Sequence, residues 1–158
     1  MATRTYILGS AATLLSTELN SLASSSGLTA GAISSVGGSS GLFNNVLAGG
    51  GLGGYVRARF ELVLAAPASA LTAGTGAYVW FLNTVDGTNY EDGGSAVIPA
   101  RKPDLFIAVR AVSTSQRIDV SGVLPSNAWY VLLAQNTGQT WAASGNTLKV
   151  MPETDQVS

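Results

Sequence analysis

The sequence predicts an all-β fold: an antiparallel β-sandwich, jelly-roll-like, with one short N-terminal helix. Two patterns predict it. Seven or eight short segments either alternate apolar and polar residues or are continuously apolar, as the strands of half-buried and buried sheets are. Gly, Asn, Asp, Ser and Pro separate these segments at intervals typical of strands. The 158 residues suit a single domain, residues 1–158, with one core.

The first 23 residues predict an N-terminal arm followed by a short helix. Residues 3–8 are typical of a short strand. Within residues 13–23, Leu15, Leu19 and Leu22 recur at i, i+4 and i+7, which places them on one face of a helix. We expect this apolar stripe to lie on the sandwich.

Residues 24–54 form a Gly/Ser-rich loop region with a possible short strand at residues 42–47. Ordering so much glycine costs conformational entropy. This region is therefore expected to be mobile or to be held by a neighbouring protein.

The sandwich strands are predicted within residues 55–151. Residues 55–64 alternate, with Val56, Ala58, Phe60, Leu62 and Leu64 on one face and Arg57, Arg59 and Glu61 on the other. Residues 77–82 are apolar on both faces, which fits a central strand or a strand whose outer face another subunit covers. Further strands are expected at residues 105–112, 116–124, 129–135 and 147–151, followed by a tail at 152–158.

Composition excludes several classes of function. Only 11% of the residues are charged and the net charge is -1, so the chain has no basic surface that would attract nucleic acid. Cysteine is absent, which excludes disulfides and thiolate chemistry. The start of the chain lacks the pattern of a secretory signal, and glycine and proline interrupt the uncharged stretches. We therefore expect no membrane span.

The residues favour a protein that is not an enzyme. The chain has no histidine, which removes the usual general base and the commonest metal ligand. The lysines, Lys102 and Lys149, have the surroundings of solvated charges. No glycine-rich stretch ends in the Gly-Lys-Ser/Thr pattern of a phosphate-binding loop. No cofactor is expected.

One dense polar cluster leaves two interpretations open. Asp86, Asn89, Glu91 and Asp92 supply the oxygen ligands that Ca²⁺ prefers, although their spacing is not that of an EF-hand loop. The same residues also suit a hairpin loop that begins at Asp86 and Gly87. The loop is the favoured interpretation.

Aromatic residues offer a second possible binding site. Trp80, Trp129, Trp141, Tyr90 and Tyr130 are candidates for a platform on which sugars stack. Trp80 and Trp129 lie within apolar strands and are expected in the core. Trp141 lies in a loop-like segment, as an interface anchor or as a lid on the core, and the lid is favoured.

Four segments resemble small structural proteins of tailed bacteriophages, specifically the jelly-roll-like capsid decoration, or cement, proteins. The segments are LSTELNSLA (15–23), VWFLNTVDGTNYEDG (79–93), AVSTSQRI (111–118) and GQTWAASGNTL (138–148). The likeness extends over most of the chain outside residues 24–54. None of these segments is a chemical signature.

The resemblance implies a virion protein, made in the host cytoplasm, that clamps adjacent subunits of the major capsid protein on the capsid exterior. It also implies association with itself, as a homotrimer. Low charge and strands apolar on both faces agree with a subunit that other proteins cover. The candidate interface residues are Thr3, Arg4, Tyr6, Leu42, Phe43 and Trp141.

Two alternatives have the same composition. A carbohydrate-binding β-sandwich module would require exposed aromatic ring faces. A phage tail or baseplate component would differ from a head protein only in its position in the particle.

Overall fold

Ten strands form two antiparallel sheets in the computed structural model of the chain, which describes residues 4–25, 28, 31–33, 42–45, 54–84, 89–93, 97–126 and 128–157. The strands are β1 (Arg4–Leu8), β2 (Ala12–Leu15), β3 (Ala32–Ile33), β4 (Leu42–Asn44), β5 (Arg57–Leu64), β6 (Gly76–Leu82), β7 (Leu105–Ala108), β8 (Gln116–Val123), β9 (Ala128–Gln135) and β10 (Thr147–Val157). The predicted all-β class is confirmed.

The strands divide between two five-stranded sheets. Sheet A has the order β1-β10-β5-β8, and β2 also pairs with β10. Sheet B has the order β3-β9-β6-β7, and β4 also pairs with β9. The chain crosses from one sheet to the other at β2–β3, β4–β5, β5–β6, β7–β8, β8–β9 and β9–β10. Each sheet therefore alternates with the other along the chain, as in a sandwich.

The main core lies between the two sheets and is built around aromatic rings. Phe60 of β5 stacks on Phe81 of β6 with ring centroids 5.5 Å apart. The ring of Trp129, on β9, lies 4.6 Å from that of Phe81 and 4.9 Å from that of Phe43 on β4. Such contacts add to the large apolar area that each ring buries. These rings join β5 of sheet A to three strands of sheet B.

Strand β5 confirms the alternation predicted for residues 55–64. Ala58, Phe60, Leu62 and Leu64 are buried. Val56 differs from its predicted partners because it precedes the strand, at a bend, and its side chain is 56% exposed. The period-two pattern thus begins at Arg57, where pairing with both β8 and β10 begins.

Strand β6, apolar on both faces, is a central strand whose outer face is covered by the chain itself. It lies between β9 and β7. On the outer face of sheet B, Trp80, Leu82, Leu132 and Ala134 form a second buried cluster. Leu28 and Ile98, from the connecting segments, pack against it. The sequence left open whether another subunit covers this face. In the structure, segments of the same chain cover it.

The predicted helix over residues 13–23 is replaced by β2 and one 3-10 turn, Thr17–Leu19. Leu15 and Leu19 are buried and Leu22 packs on the core, so the leucine spacing marked core contacts but not an α-helix. The reason is non-local: residues 12, 13 and 15 pair with β10, which offers backbone partners. Asn146 then fixes the turn by donating hydrogen bonds to the Leu19 carbonyl and the Asn20 side chain.

Strand β10 continues through the segment predicted as a tail and ends at Val157. Its partners change along its length, with β2 and β5 beside its first part and β1 beside Glu153 to Val157. Pro152 lies where β2 pairing gives way to β1 pairing and accepts a hydrogen bond from the Gly9 amide at 2.8 Å. A missing N–H is tolerated at such a junction.

The described parts of the Gly/Ser-rich region are held by the chain's own sheet B. β3 and β4 both pair with β9. Buried Asn45 accepts a hydrogen bond from the Tyr55 amide at 2.7 Å and donates to the carbonyls of Tyr55 and Pro125 at 2.8 and 2.5 Å. One amide side chain thereby joins residues on both sides of the glycine-rich segment to the β8–β9 connection. The remainder of the predicted strand at 42–47 lies outside the described residues.

Candidate functional site

The outer face of sheet A gathers much of the chain's sparse charge. Along β5, β8 and β10 alternate side chains point away from the core, because neighbouring residues of a strand face opposite ways. Register places these side chains in rows across the sheet. The charged residues of this face are Arg57, Arg59, Glu61, Arg117, Asp119, Lys149 and Glu153. We refer to it as the charged face.

The charges on this face are joined by ion pairs between neighbouring strands. Arg59 pairs with Asp119, and Arg117 with Glu61 at 2.5 Å, so both pairs join β5 to β8 diagonally. The hydrogen bond that Arg59 donates to Asp119, together with the charge of that carboxylate, raises the pKa of the guanidinium above its usual value. Exposed pairs of this kind contribute little to stability. Their fixed geometry instead presents an ordered pattern of charge to a partner.

Register also places two acids opposite each other, which the sequence alone did not predict. Glu61 of β5 and Asp119 of β8 are direct cross-strand neighbours. An acid pair can hydrolyse glycosides, but only across a cleft that holds the sugar ring. Here each carboxylate accepts a hydrogen bond from a different arginine. Their surroundings are an open sheet face, and this arrangement favours ion pairing over catalysis.

A shallow groove of about 270 Å³ crosses the charged face beside Lys149. Its lining includes Ala11, Met151 and the ion-paired side chains of Arg59 and Asp119. Among the described residues Lys149 forms no ion pair. An ammonium next to a flexible thioether suits contact with an acidic or amphipathic protein segment.

Two exposed apolar side chains lie at one end of the charged face. Cross-strand register aligns Leu8, Glu153, Arg57 and Val123 in a single row. Leu8 is 58% exposed and Val123 is 73% exposed. Exposed apolar side chains beside arginines are typical of interface composition. This row is the most interface-like part of the charged face.

The outer side of sheet B is closed by a different cluster, centred on Arg101. Its guanidinium donates to both oxygens of Glu91 at 2.7 and 2.9 Å, to Asp104 at 2.8 Å and to the carbonyl of Phe81 at 2.9 Å. We refer to this as the Arg101 clamp. Its hydrogen bond to Glu91 raises the pKa of Arg101 above the usual range, against the opposing effect of burial. The clamp holds two connecting segments over the second apolar cluster.

The clamp accounts for part of the polar cluster considered for calcium. Glu91 is occupied by Arg101, and the Asn89 carbonyl accepts a hydrogen bond from the Thr84 hydroxyl at 2.6 Å. Thr84 and Tyr90 form an isolated antiparallel bridge, as the hairpin-loop interpretation predicts. Asp86 lies outside the described residues. In the described part of the chain, no group of three or more acidic side chains has a metal-binding arrangement.

The tryptophans are core residues. Trp80 is 2% exposed, Trp129 0% and Trp141 3%, which confirms the core positions predicted for Trp80 and Trp129. Trp141 donates from its indole N–H to the Thr137 hydroxyl at 3.3 Å and covers the core from the loop before β10, which agrees with the lid interpretation. Their ring faces are not available for sugar stacking.

The candidate interface residues are placed as follows. Arg4 and Tyr6 lie in β1, an edge strand of sheet A, and Leu42 lies in β4. Phe43 is half-buried against Trp129, and Trp141 is buried in its own subunit. Thr3 lies outside the described residues. Phe43 and Trp141 pack on their own core, so the structure does not bring all of the candidates together on one exposed surface.

The alternating patterns of β5 and β8 contained the signal for the charged face. Each strand predicted one polar side, but only register shows that the two polar sides are continuous with that of β10. In the described part of the chain, no helical segment has the length and apolar content needed to cross a membrane.

Comparisons with protein-family models, with curated proteins and with solved structures each find no match to this chain.

Proposed function

We propose that this chain is a structural virion protein that binds the outer surface of a bacteriophage capsid and stabilises the lattice by clamping adjacent capsid subunits. It is not an enzyme. Its partner is the major capsid protein, and many copies act together on one shell, so weak single contacts add through avidity. The finer class of the sandwich, a jelly roll, belongs to the same proposal, as does the three-fold association of copies.

The observation that carries the proposal is the charged face of sheet A. In a chain with only 11% charged residues, the described side chains of this face include four of the chain's eight basic residues, namely Arg57, Arg59, Arg117 and Lys149. The opposite side of the sandwich is closed by the Arg101 clamp over its own apolar cluster. The charged face is broad, pre-ordered by ion pairs and bordered by exposed Leu8 and Val123, which are properties of a protein-binding surface.

The chain's two lysines provide a direct test, because they lie on opposite sides of the sandwich. Lys149 is on the charged face, and Lys102 is in the segment that the Arg101 clamp holds over sheet B. Heads of the virus that encodes the chain are incubated with the protein and treated with an amine-acylating reagent. We expect docking to reduce acylation of Lys149 and to leave that of Lys102 unchanged, as measured by mass spectrometry.

Matched charge reversals provide the second arm of the test. K149E reverses a charge that has no ion-pair partner among the described residues, whereas K102E makes the same change on the opposite side. We expect K149E to weaken cosedimentation with heads by about tenfold, equivalent to about 1.4 kcal/mol, and K102E to have no such effect. Failure of the wild-type protein to bind heads would refute the function. Equal effects of the two reversals would refute the assignment of the face.

A further inference from the structure

Strand β8 is a long, open edge of sheet A. Its eight residues pair with β5 without interruption, from Gln116 opposite Leu64 to Val123 opposite Arg57. Among the described strands, none pairs with the other side of β8. An exposed edge strand presents a row of backbone donors and acceptors to any other chain that can align with it.

The positions of the hydrogen bonds between β5 and β8 show which backbone N–H and C=O groups of β8 point away from the sheet. The amide of Leu124 donates to the carbonyl of Val56 at 3.0 Å. Because hydrogen-bonded pairs alternate along an antiparallel ladder, the even-numbered residues of β8 bond to β5. The N–H and C=O groups of Arg117, Asp119, Ser121 and Val123 therefore point away from the sheet.

Most of the usual protections of an edge strand are missing from β8. Natural edges are kept short or carry proline, charged side chains (especially lysine), a bulge or an inward-pointing charge. The charges of β8, Arg117 and Asp119, are already held in ion pairs with β5. β8 contains no proline or lysine, its register with β5 has no shift, and its inward residues are Ile118, Val120 and Gly122. By contrast β7, the comparable edge of sheet B, has only four residues and follows Pro103. The β8 edge is thus suited to accept a strand.

We infer that β8 pairs with β8 of a second copy of this chain, antiparallel, about a two-fold axis at Ile118. In this register Arg117 lies opposite the partner's Asp119, and the relation repeats on the other side of the axis. Each of these two Arg117–Asp119 pairs exchanges two backbone hydrogen bonds. Opposite charges at directly facing positions stabilise an antiparallel pair.

The existing ion pairs extend this complementarity across both subunits. Glu61, Arg117, the partner's Asp119 and the partner's Arg59 would form one row of alternating charge, since Arg117 already binds Glu61 and Asp119 already binds Arg59. On the inner face, Ile118 would contact the partner's Ile118. That side chain is only partly buried in the single chain, at the margin of the core. The pairing would therefore extend the ion pairs on the outer face of β8 and give Ile118 an apolar partner on its inner face.

Other two-fold registers are less complementary. An axis at Asp119 would place that acid opposite itself, and like charges facing each other are destabilising. An axis at Val120 would place Arg117 opposite the partner's Val123, with no charge pairing. This inference rests on the chain alone and not on the proposed function. It also leaves β1, the edge on the other side of sheet A, available for a three-fold contact.

Single cysteines test the register, since the natural chain contains none. Residues at the axis form a non-hydrogen-bonded pair with Cα atoms about 4.5 Å apart, within the range of a disulfide, about 4.4–6.8 Å. We expect I118C to form a covalent dimer under mild oxidation. Ser121 lies on the same strand, but in this register it is far from Ser121 of the second copy. We therefore expect S121C to remain uncrosslinked. Circular dichroism confirms that both variants are folded.

Sedimentation equilibrium tests the charge pairing without a new bond. In the absence of heads, wild-type protein is expected to associate to twice the 16.1 kDa subunit mass. D119K would place a lysine opposite the partner's Arg117 and is expected to weaken this association at least tenfold. D92K makes the same charge change at an exposed loop position and is expected to leave it within twofold. A monomeric wild type, equal crosslinking of I118C and S121C, or equal effects of D119K and D92K would overturn the inference. None of these results bears on binding to heads.

Discussion

Four buried amide side chains satisfy backbone groups where strands give way to loops. Gln116 accepts a hydrogen bond from the Arg110 amide at 2.8 Å and donates to the carbonyl of the same residue at 3.0 Å. Gln135 donates to the carbonyls of Leu22 and Gln139, both at 2.9 Å. Asn45 and Asn146 do the same at other loops. A side-chain amide has both donors and an acceptor. One such residue can therefore bond the backbone groups that have no neighbouring strand at these positions.

Trp129 and Trp80 permit a comparison at the level of one hydrogen bond. The indole N–H of Trp80 donates to the Arg101 carbonyl at 3.2 Å, whereas that of Trp129 is buried without a hydrogen-bond partner in the described part of the structure. W80F leaves a carbonyl without its donor, while W129F removes a donor that has no acceptor. We expect W80F to lower the free energy of unfolding by about 1 kcal/mol more than W129F does, as measured by urea denaturation. Equal losses would show that ring volume alone decides the cost.

At the scale of elements, β10 and the Arg101 clamp both join separate segments of the chain, β10 over long sequence distances and the clamp between the end of β6 and the connection to β7. β10 pairs with β1, β2 and β5 and so connects the N-terminal strands to the centre of sheet A. The Arg101 clamp joins the segment that contains Glu91 to Asp104, just before β7, and to the end of β6. Both act through backbone or planar, multidentate hydrogen bonds, which fix orientation as well as distance.

Removal of the clamp is expected to destabilise the fold. R101A leaves Glu91, Asp104 and the Phe81 carbonyl without their shared donor, and we expect the free energy of unfolding to fall by about 1.5–3 kcal/mol. R101K retains the charge but not the planar fork and is expected to recover only part of the loss. Denaturation at one fixed protein concentration measures both, because association would also change apparent stability.

R110A is the matched control, since Arg110 is exposed and lies outside the clamp. We expect it to change the free energy of unfolding by less than about 0.5 kcal/mol. The pKa of Arg101 is raised in the folded chain, so its contribution is retained below the usual arginine pKa and is lost only as the pH rises through the raised value. The R101A effect should therefore not diminish between neutral and mildly basic pH. Equal losses for R101A and R110A would contradict the clamp.

At the scale of the whole molecule, the two sheets present different outer surfaces. Sheet B is covered by the chain's own segments, whereas sheet A exposes its charged face and the β8 edge. Among the described strands, the first one, β1, pairs with the last residues of β10 alone and lies at the margin of sheet A. If the charged face docks on a capsid, β1 is close enough in the sheet to be covered with it.

The position of β1 predicts that docking on heads protects the N-terminal arm from proteolysis. Trypsin can cut after Arg4, in the edge strand β1. We expect this cleavage to slow when the protein is bound to heads, because ordering against a neighbour protects an edge strand from proteolysis. Intact-mass measurements over time follow the loss of the first four residues. Equal cleavage of unbound and head-bound protein would remove the arm from the interface.

Much of the fold could be predicted from local pattern. The alternation in β5 and β8 identified their buried and exposed faces, and the turn residues located most strand ends to within a few positions. The absence of histidine and cysteine narrowed the chemistry that the side chains can perform. These conclusions follow from side chains and their immediate neighbours, which is why the sequence by itself determined them.

Tertiary structure alone decided which distant segments meet. Leu15 and Leu19 are spaced as in a helix, yet pairing with β10 gave residues 12–15 hydrogen-bond partners that favour a strand. Residues 28 and 98 cover the outer face of β6, which local pattern left open to another subunit. The charged face likewise required the register of β5 with β8 and β10, because a shift of one residue would turn its side chains to the core. Strand pairing and cover depend on contacts between residues far apart in sequence, and no local pattern encodes them.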